Sequence, residues 1–153
     1  MRTESVRPDY DDWFMEMCRT IANRSSCVRR AVGCLIVSVD HRILSMGYNG
    51  VPHGVEHCTT KECPGAGMRS GEGLDMCQAL HAEQNAVARL RDVAEAHTIY
   101  CTTSPCISCT KLLSATNAIR IVAGDFYPKS GRVFWTENLG REWRDIGLEE
   151  IGR

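Results

Sequence analysis

The chain has 153 residues and a mass of 17.1 kDa, of which 43% are apolar and 24% charged. Those values describe one ordinary globular domain and argue against a disordered chain. Lys plus Arg number 18 against 19 Asp plus Glu, a net charge of -1, which excludes a strongly basic nucleic-acid scavenger.

No apolar run approaches the roughly 18 residues that a membrane span needs. The opening MRTESVRPDYDDW has no apolar stretch of the kind a secretory signal carries. The expectation is a cytoplasmic protein (host cytoplasm if the chain is viral) that binds neither membrane nor nucleic acid. The unusual number is nine cysteines. An odd count without an export signal argues against a disulfide framework and for buried thiols or metal ligands.

In chain order, residues 10–23 read as a helix. Trp13, Phe14, Met17, Cys18 and Ile21 fall on one stripe, and Asp11, Asp12 and Glu16 stand early, where the helix dipole favours anions. Residues 31–39 and 42–47 are apolar and β-branched around Asp40-His41, and read as a hairpin. Residues 48–80 are rich in Gly, Pro, His and Cys and show no period. A structureless loop of that length is usually functional, and a metal clip would order it.

Residues 81–92 read as a helix with Ala86, Val87 and Leu90 on one side, and residues 98–103 as a strand. Ser104-Pro105 reads as a helix start, with Ser104 as N-cap, leading into a helix over 105–117. Residues 119–123 read as a strand, followed by a weakly signalled helix near 132–139 and a strand near 146–151. Helices alternating with strands imply a sheet covered on both faces.

Two short motifs carry the chemistry: His81-Ala82-Glu83, and Pro105-Cys106-Ile107-Ser108-Cys109. Cys106 and Cys109 stand three apart in a first helical turn, so both sulfurs share a face where the helix dipole favours thiolate. With His81 they give zinc three protein ligands and an open fourth position, the mark of a catalytic site. Zinc there lowers the pKa of a bound water to about 7. Glu83 reaches that water without ligating the metal and can carry its proton. A structural zinc finger would need a fourth ligand near His81 and gives Glu83 no role.

The pattern H-x-E…P-C-x-x-C resembles the zinc nucleobase deaminases. Further motifs narrow the resemblance: Gly47-Tyr48-Asn49-Gly50-Val51-Pro52-His53-Gly54, then His57-Cys58, Arg24-Ser25-Ser26-Cys27, and His81-Ala82-Glu83-Gln84-Asn85-Ala86. From about residue 13 to 125 the chain is similar to deoxycytidylate (dCMP) deaminases. The resemblance implies a three-layer α/β/α cytidine-deaminase-like fold, with a mixed five-stranded sheet carrying both zinc helices on one face. It also implies hydrolysis of dCMP to dUMP and ammonia.

It implies roles for further residues. The backbone of Ala82 and of Thr103 or Ser104 reads the cytosine edge. Asn49 bonds the sugar hydroxyl, and Tyr127 or Phe126 packs against base or sugar. Arg24 with Ser25 clamps the phosphate, while Arg29 and Arg30 read as solvated surface charges. Members with this GYNG loop are commonly activated by dCTP and inhibited by dTTP, bound with Mg²⁺ between subunits of a hexamer. Tyr48, Asn49 and Gly50 would then lie between effector and active site.

Of the other cysteines, Cys58-x4-Cys63 has ligand spacing and Cys77 lies just before His81. With Cys27 they match a second, structural zinc that several microbial members of the family carry, with His57 able to replace one thiol. Four reduced thiols are the alternative. Cys18, Cys34 and Cys101 read as small core residues. Rival readings are a deaminase of another substrate (tRNA adenosine, guanine, 5-substituted dCMP) and a non-catalytic nucleotide-binding relative, for which an intact Glu83 has no purpose.

Overall fold

The computed structural model describes residues 7–69 and 71–147. Five strands form one mixed sheet in the order β2-β1-β3-β4-β5: β1 (Gly33–Val37), β2 (Ile43–Tyr48), β3 (Thr98–Thr103), β4 (Arg120–Asp125) and β5 (Glu142–Asp145). The hairpin β1–β2 and the pair β1–β3 are antiparallel, whereas β3–β4 and β4–β5 are parallel. The three-layer arrangement implied by the resemblance is therefore the one observed.

The alternation of side chains along β1 separates two cores. Leu35 and Val37 face α1 (Tyr10–Ala22) and join Phe14, Met15, Cys18, Tyr100, Val122 and Ile146. Cys34 and Ile36 face the opposite side. There they pack with Ala82 and Ala86 of α2 (Ala82–Ala88), Leu113 of α3 (Ile107–Ser114), Ile99, Ile121 and Trp135. Cys18, Cys34 and Cys101 are all buried, with the Cys34 and Cys101 sulfurs 3.6 Å apart on paired strands.

Three expectations are corrected. The buried stripe of α1 is Asp11, Phe14, Met15, Cys18 and Ala22, and Trp13 is 44% exposed. The helix is rotated because Asp11 is drawn inward by two arginines. Ser104 does not cap α3: Cys106 does, its sulfur accepting from the Cys109 amide at 3.4 Å. The last strand is Glu142–Asp145, not 146–151, and residues 148–151 lie outside the described residues. Trp143 fixes that register, since it inserts beside Ile121 on the second core face. The helix near 132–139 is a wide π-type turn over Phe134–Asn138, and its Trp135 is fully buried, donating Nε1–H to Glu142 O at 2.9 Å.

The long segment 48–80 is closed at its base by reciprocal bonds between Gly50 and Leu80, at 3.1 and 2.9 Å. It thus leaves and re-enters the fold at one place, directly before His81. Among the described residues no helix is long and apolar enough to cross a membrane.

Candidate active site

Helix α2 is pressed onto β2 by small residues. A Cβ on Gly47 would stand 2.2 Å from Ala82 O and 2.5 Å from Ala86 N, so backbone meets backbone there. Ser45 Oγ donates to Ala86 O, and Asn85 Nδ2 donates to Tyr48 O at 2.8 Å. At the start of α2, the His81 amide donates to Gln84 Oε1 at 2.7 Å. Those contacts fix the N-terminus that presents His81 and Glu83.

The second motif is held as firmly. Ser104 N–H donates to Asp125 O at 2.8 Å and Gly131 N–H to Pro105 O at 2.9 Å. Cys106 bridges to Ser130, and Thr110 Oγ1 returns to Cys106 O at 2.9 Å. The turn 104–107 and the segment 125–131 are therefore tied together, which also places Tyr127.

The two helix starts meet. His81 Nδ1 lies 3.7 Å from Cys106 Sγ and 3.3 Å from Cys109 Sγ. All three donor atoms fall within 4.8 Å of one another, the one such group of three among the described residues. A tetrahedral zinc with Zn–N near 2.0 Å and Zn–S near 2.3 Å separates its ligands by roughly 3.5–3.8 Å, close to the two distances from His81, and one imidazole with two thiols is a donor set of the right chemistry for that ion.

The electrostatics agree. The Cys106 thiol is drawn down to about 4, first by the Cys109 thiol that donates to it and then, against the cost of burial, by His81. Cys109 is pushed upward by that same contact and by burial. His81 is raised, chiefly by its bond to Cys106. Three donors thus keep protons among themselves that a divalent cation would displace. Glu83 is 4% exposed, and burial raises its carboxyl, opposed by its backbone hydrogen bond and by His81. A carboxyl tuned upward beside a metal site is suited to accepting and returning a proton.

His81, Glu83 and Cys106 line a cavity of about 460 Å³, with Cys109 buried behind them, a size that suits a small-molecule ligand. Asn49, Ala82, Thr103, Ser104 and Tyr127 line it; Arg24, Ser25, Tyr48 and Gly50 do not. Phe126 points outward, 78% exposed. The Asn49 amide is engaged at both ends, Nδ2 donating to Arg30 O at 2.7 Å and Oδ1 accepting from Val32 N at 2.8 Å. Ser25 Oγ donates to Asn49 O at 2.9 Å, while Arg24 stays exposed at the end of α1. Since the Ser104 amide serves Asp125, Ser104 offers a base edge its carbonyl.

Arg29 and Arg30, read as surface charges, both line the cavity, Arg29 half-buried and Arg30 exposed. No local pattern announces them, because what brings them there is the turn of the chain between α1 and β1. Of the remaining thiols, Cys27 and Cys77 line the cavity, whereas Cys58 and Cys63 do not. Cys58 and Cys63 are buried, and Cys58 is pushed up first by burial, then by Cys63 and by the nearby Cys27 and Cys77. His53 and His57 are exposed and outside the cavity.

Residues 8–125 match the family model described as the cytidine and deoxycytidylate deaminase zinc-binding region. The chain is 42% identical over 108 residues to a deoxycytidylate deaminase of Schizosaccharomyces pombe, covering 68% of this chain and 33% of that protein. It is 36% identical over 151 residues to the Saccharomyces cerevisiae deoxycytidylate deaminase, covering 97% of this chain and 48% of that one. The deoxycytidylate deaminase of Mycobacterium phage D29 is 37% identical over 131 residues, 80% of this chain and 97% of that protein. The chain thus spans a third to about half the length of the two yeast relatives. In fold it resembles the crystal structure of dCMP deaminase from the cyanophage S-TIM5 in complex with dCMP and dUMP. The TM-score is 0.74 at 24% identity, covering 93% of this chain and all of the other. The chain therefore belongs to the cytidine and deoxycytidylate deaminase family.

Proposed function

We propose that the protein converts dCMP and water to dUMP and ammonia. The observation that carries this reading is the convergence of His81, Cys106 and Cys109 on one point beside the buried carboxyl of Glu83, at the floor of a nucleotide-sized cavity. Zinc held by those three donors would supply the Lewis acidity that makes a water nucleophilic at neutral pH. Glu83 Oε takes the proton of the attacking water and gives it to N3 of the cytosine ring. After the water oxygen has bonded to C4, Glu83 carries a second proton to the amino group, which leaves as ammonia while the C4 carbonyl forms. The Ala82 backbone and the Thr103 and Ser104 carbonyls hold the base edge, and Tyr127 flanks the base or sugar.

The test is loss of cytosine absorbance on incubation with dCMP. Wild type is expected to be active and Glu83→Gln inert. Wild type that leaves dCMP untouched while acting on deoxycytidine, guanine or a tRNA adenosine would move the substrate. Inertness toward all of them would leave a nucleotide-binding relative.

A second, structural zinc on Cys27, Cys58, Cys63 and Cys77 is part of the same reading. The contact between Cys58 and Cys63, with Cys27 and Cys77 near enough to act on Cys58, supports it. Subunit association, with a hexamer as the expected form, is supported by Ile43 and Met46, about half exposed on the edge strand β2. Regulation by dCTP (activating) and dTTP (inhibiting), each with Mg²⁺, would act through Tyr48, Asn49 and Gly50. Gly50 is bonded to Leu80, one residue before His81, which gives that segment a short path to the site. Rates indifferent to both triphosphates would remove regulation.

A further inference from the structure

Cys106 stands at the N-cap of α3 with an extended backbone, φ -67° and ψ 165°, so no helical turn of its own restrains it. Three donors from two consecutive residues return to it instead. The Cys109 amide donates to the Cys106 sulfur at 3.4 Å and the Thr110 amide to Cys106 O at 2.8 Å. Thr110 Oγ1 donates to the same carbonyl at 2.9 Å. The two amide bonds are those any N-capped helix makes. The hydroxyl is an addition, and it acts on a residue that offers its sulfur to the metal.

Thr110 is fully buried, and the bond to Cys106 O is the one its hydroxyl makes among the described residues. Its other side meets Gly131. A Cβ at 131 would stand 2.1 Å from Thr110 Oγ1 and 2.4 Å from Thr110 Cβ. Gly131 is not among the glycines with positive φ, so the close approach of Thr110, not backbone conformation, demands glycine there. Gly131 is itself anchored, its amide donating to Pro105 O at 2.9 Å and its carbonyl accepting from the amide of the buried Trp135 at 3.0 Å. The segment 127–131 therefore lies against α3 at the residue that holds Cys106, and it carries Tyr127 into the cavity wall.

We infer that Thr110 is a positioning residue of the metal site. Its hydroxyl fixes the Cys106 carbonyl, and with it the direction in which Cys106 presents its sulfur to His81 and Cys109. Its contact with Gly131 joins the wall that bears Tyr127 to the same turn. The inference rests on the reading of His81, Cys106 and Cys109 as one zinc site, and adds to it a residue that lies outside the cavity.

The test reads metal, not turnover. Zinc release to excess chromogenic chelator is followed for the full chain and for Thr110→Val, Thr110→Ala and Thr110→Ser. Cys109→Ser is the reference: the release phase it lacks belongs to this site. Val keeps the shape of Thr and the amide donor to Cys106 O, so that variant is expected to fold, which urea denaturation checks; Ala is a second variant without the hydroxyl. Hydrogen bonds that orient a metal ligand are typically worth about 10–100-fold in metal affinity. Thr110→Val and Thr110→Ala are expected to release that zinc about tenfold faster and to change the visible absorption of the cobalt-substituted protein, which reports ligand geometry. Thr110→Ser, which keeps the hydroxyl, is expected to follow wild type in both. Gly131→Ala is expected to speed zinc release and to weaken dUMP binding in calorimetry together. Hydroxyl-free variants that lose stability yet release zinc at the wild-type rate with an unchanged cobalt spectrum have a merely structural defect and overturn the assignment. So does a Thr110→Ser protein that releases zinc as fast as Thr110→Val. Faster release with unchanged dUMP binding in Gly131→Ala overturns the link to Tyr127. Wild type that shows no release phase dependent on Cys109 defeats the metal reading and Thr110 with it; wild type that shows one, matched by Thr110→Val, defeats Thr110 alone.

Discussion

The Asp11 carboxylate in the first turn of α1 accepts both terminal nitrogens of Arg120 on β4, each at 2.6 Å. Arg144 on β5 and the Tyr100 hydroxyl, at 2.8 Å, join the same carboxylate. One acidic side chain therefore ties the helix on one face of the sheet to three adjacent strands. The Asp11 side chain is only 8% exposed, so the pair sits where water screens little.

Breaking a buried pair by removing one partner leaves the other charge uncompensated. Asp11→Asn is expected to lower the unfolding free energy by about 3 kcal/mol. Urea denaturation followed by circular dichroism measures it. A loss below about 0.5 kcal/mol would mean that solvent already screens the network.

The same carboxylate sets an acid limb. Burial alone would raise Asp11, but Arg120, Tyr100 and Arg144 outweigh it and hold it below its ordinary 3.8. A group whose folded value is depressed stabilises the fold fully above its unfolded value. That contribution fades as pH falls through the folded one. Wild type is expected to lose stability between pH 5 and pH 3 more steeply than Asp11→Asn. Parallel slopes over that interval would contradict it.

Glu83→Gln is expected to cut kcat for dCMP by about 10²- to 10⁴-fold while zinc content stays that of wild type. The amide is nearly the same shape but carries no proton between water and base. Parallel metal analysis separates the two effects. A variant that lost its zinc as well would make Glu83 part of the ligand sphere.

Gly47→Ala tests how α2 is seated. Its Cβ would meet Ala82 O and Ala86 N, and neither backbone can yield without moving the helix that bears His81 and Glu83. Overpacking of this kind costs about 1–3 kcal/mol. The expectation is a lower denaturation midpoint together with weaker zinc retention during dialysis. Destabilisation with full zinc retention would show that α2 shifts without opening the metal site.

Metal counting addresses the loop thiols. Two zinc ions per chain are expected for wild type, and one for Cys63→Ser, with a lower melting temperature because metal binding contributes directly to folding. Cys109→Ser is expected to lose the other ion. A Cys63→Ser protein with unchanged metal content would return the four residues to the status of free thiols.

Much of the fold could be read from pattern. The boundaries of β3 at Thr98–Thr103 and of α1 at Tyr10–Ala22 follow from runs long enough for one period to dominate. The ligand set was legible because the C-x-x-C and H-x-E spacings are local and each needs only one helical turn to become geometry. The rotation of α1 was not legible. Asp11 looks like an ordinary dipole-favoured anion until the arginines of β4 and β5 are known to lie beneath it.

What the chain determined by itself was therefore the identity of its elements and the two half-sites, His81 with Glu83 and Cys106 with Cys109. What only the tertiary structure decided was which distant groups share a space. It joined the two half-sites where α2 and α3 meet on one face of the sheet, set Arg29 and Arg30 at the cavity, and left Arg24 outside. The reason is physical: spacing along a helix or strand is fixed by backbone geometry, whereas the meeting of residues far apart in sequence depends on how whole elements pack, and that is a property of the assembled core.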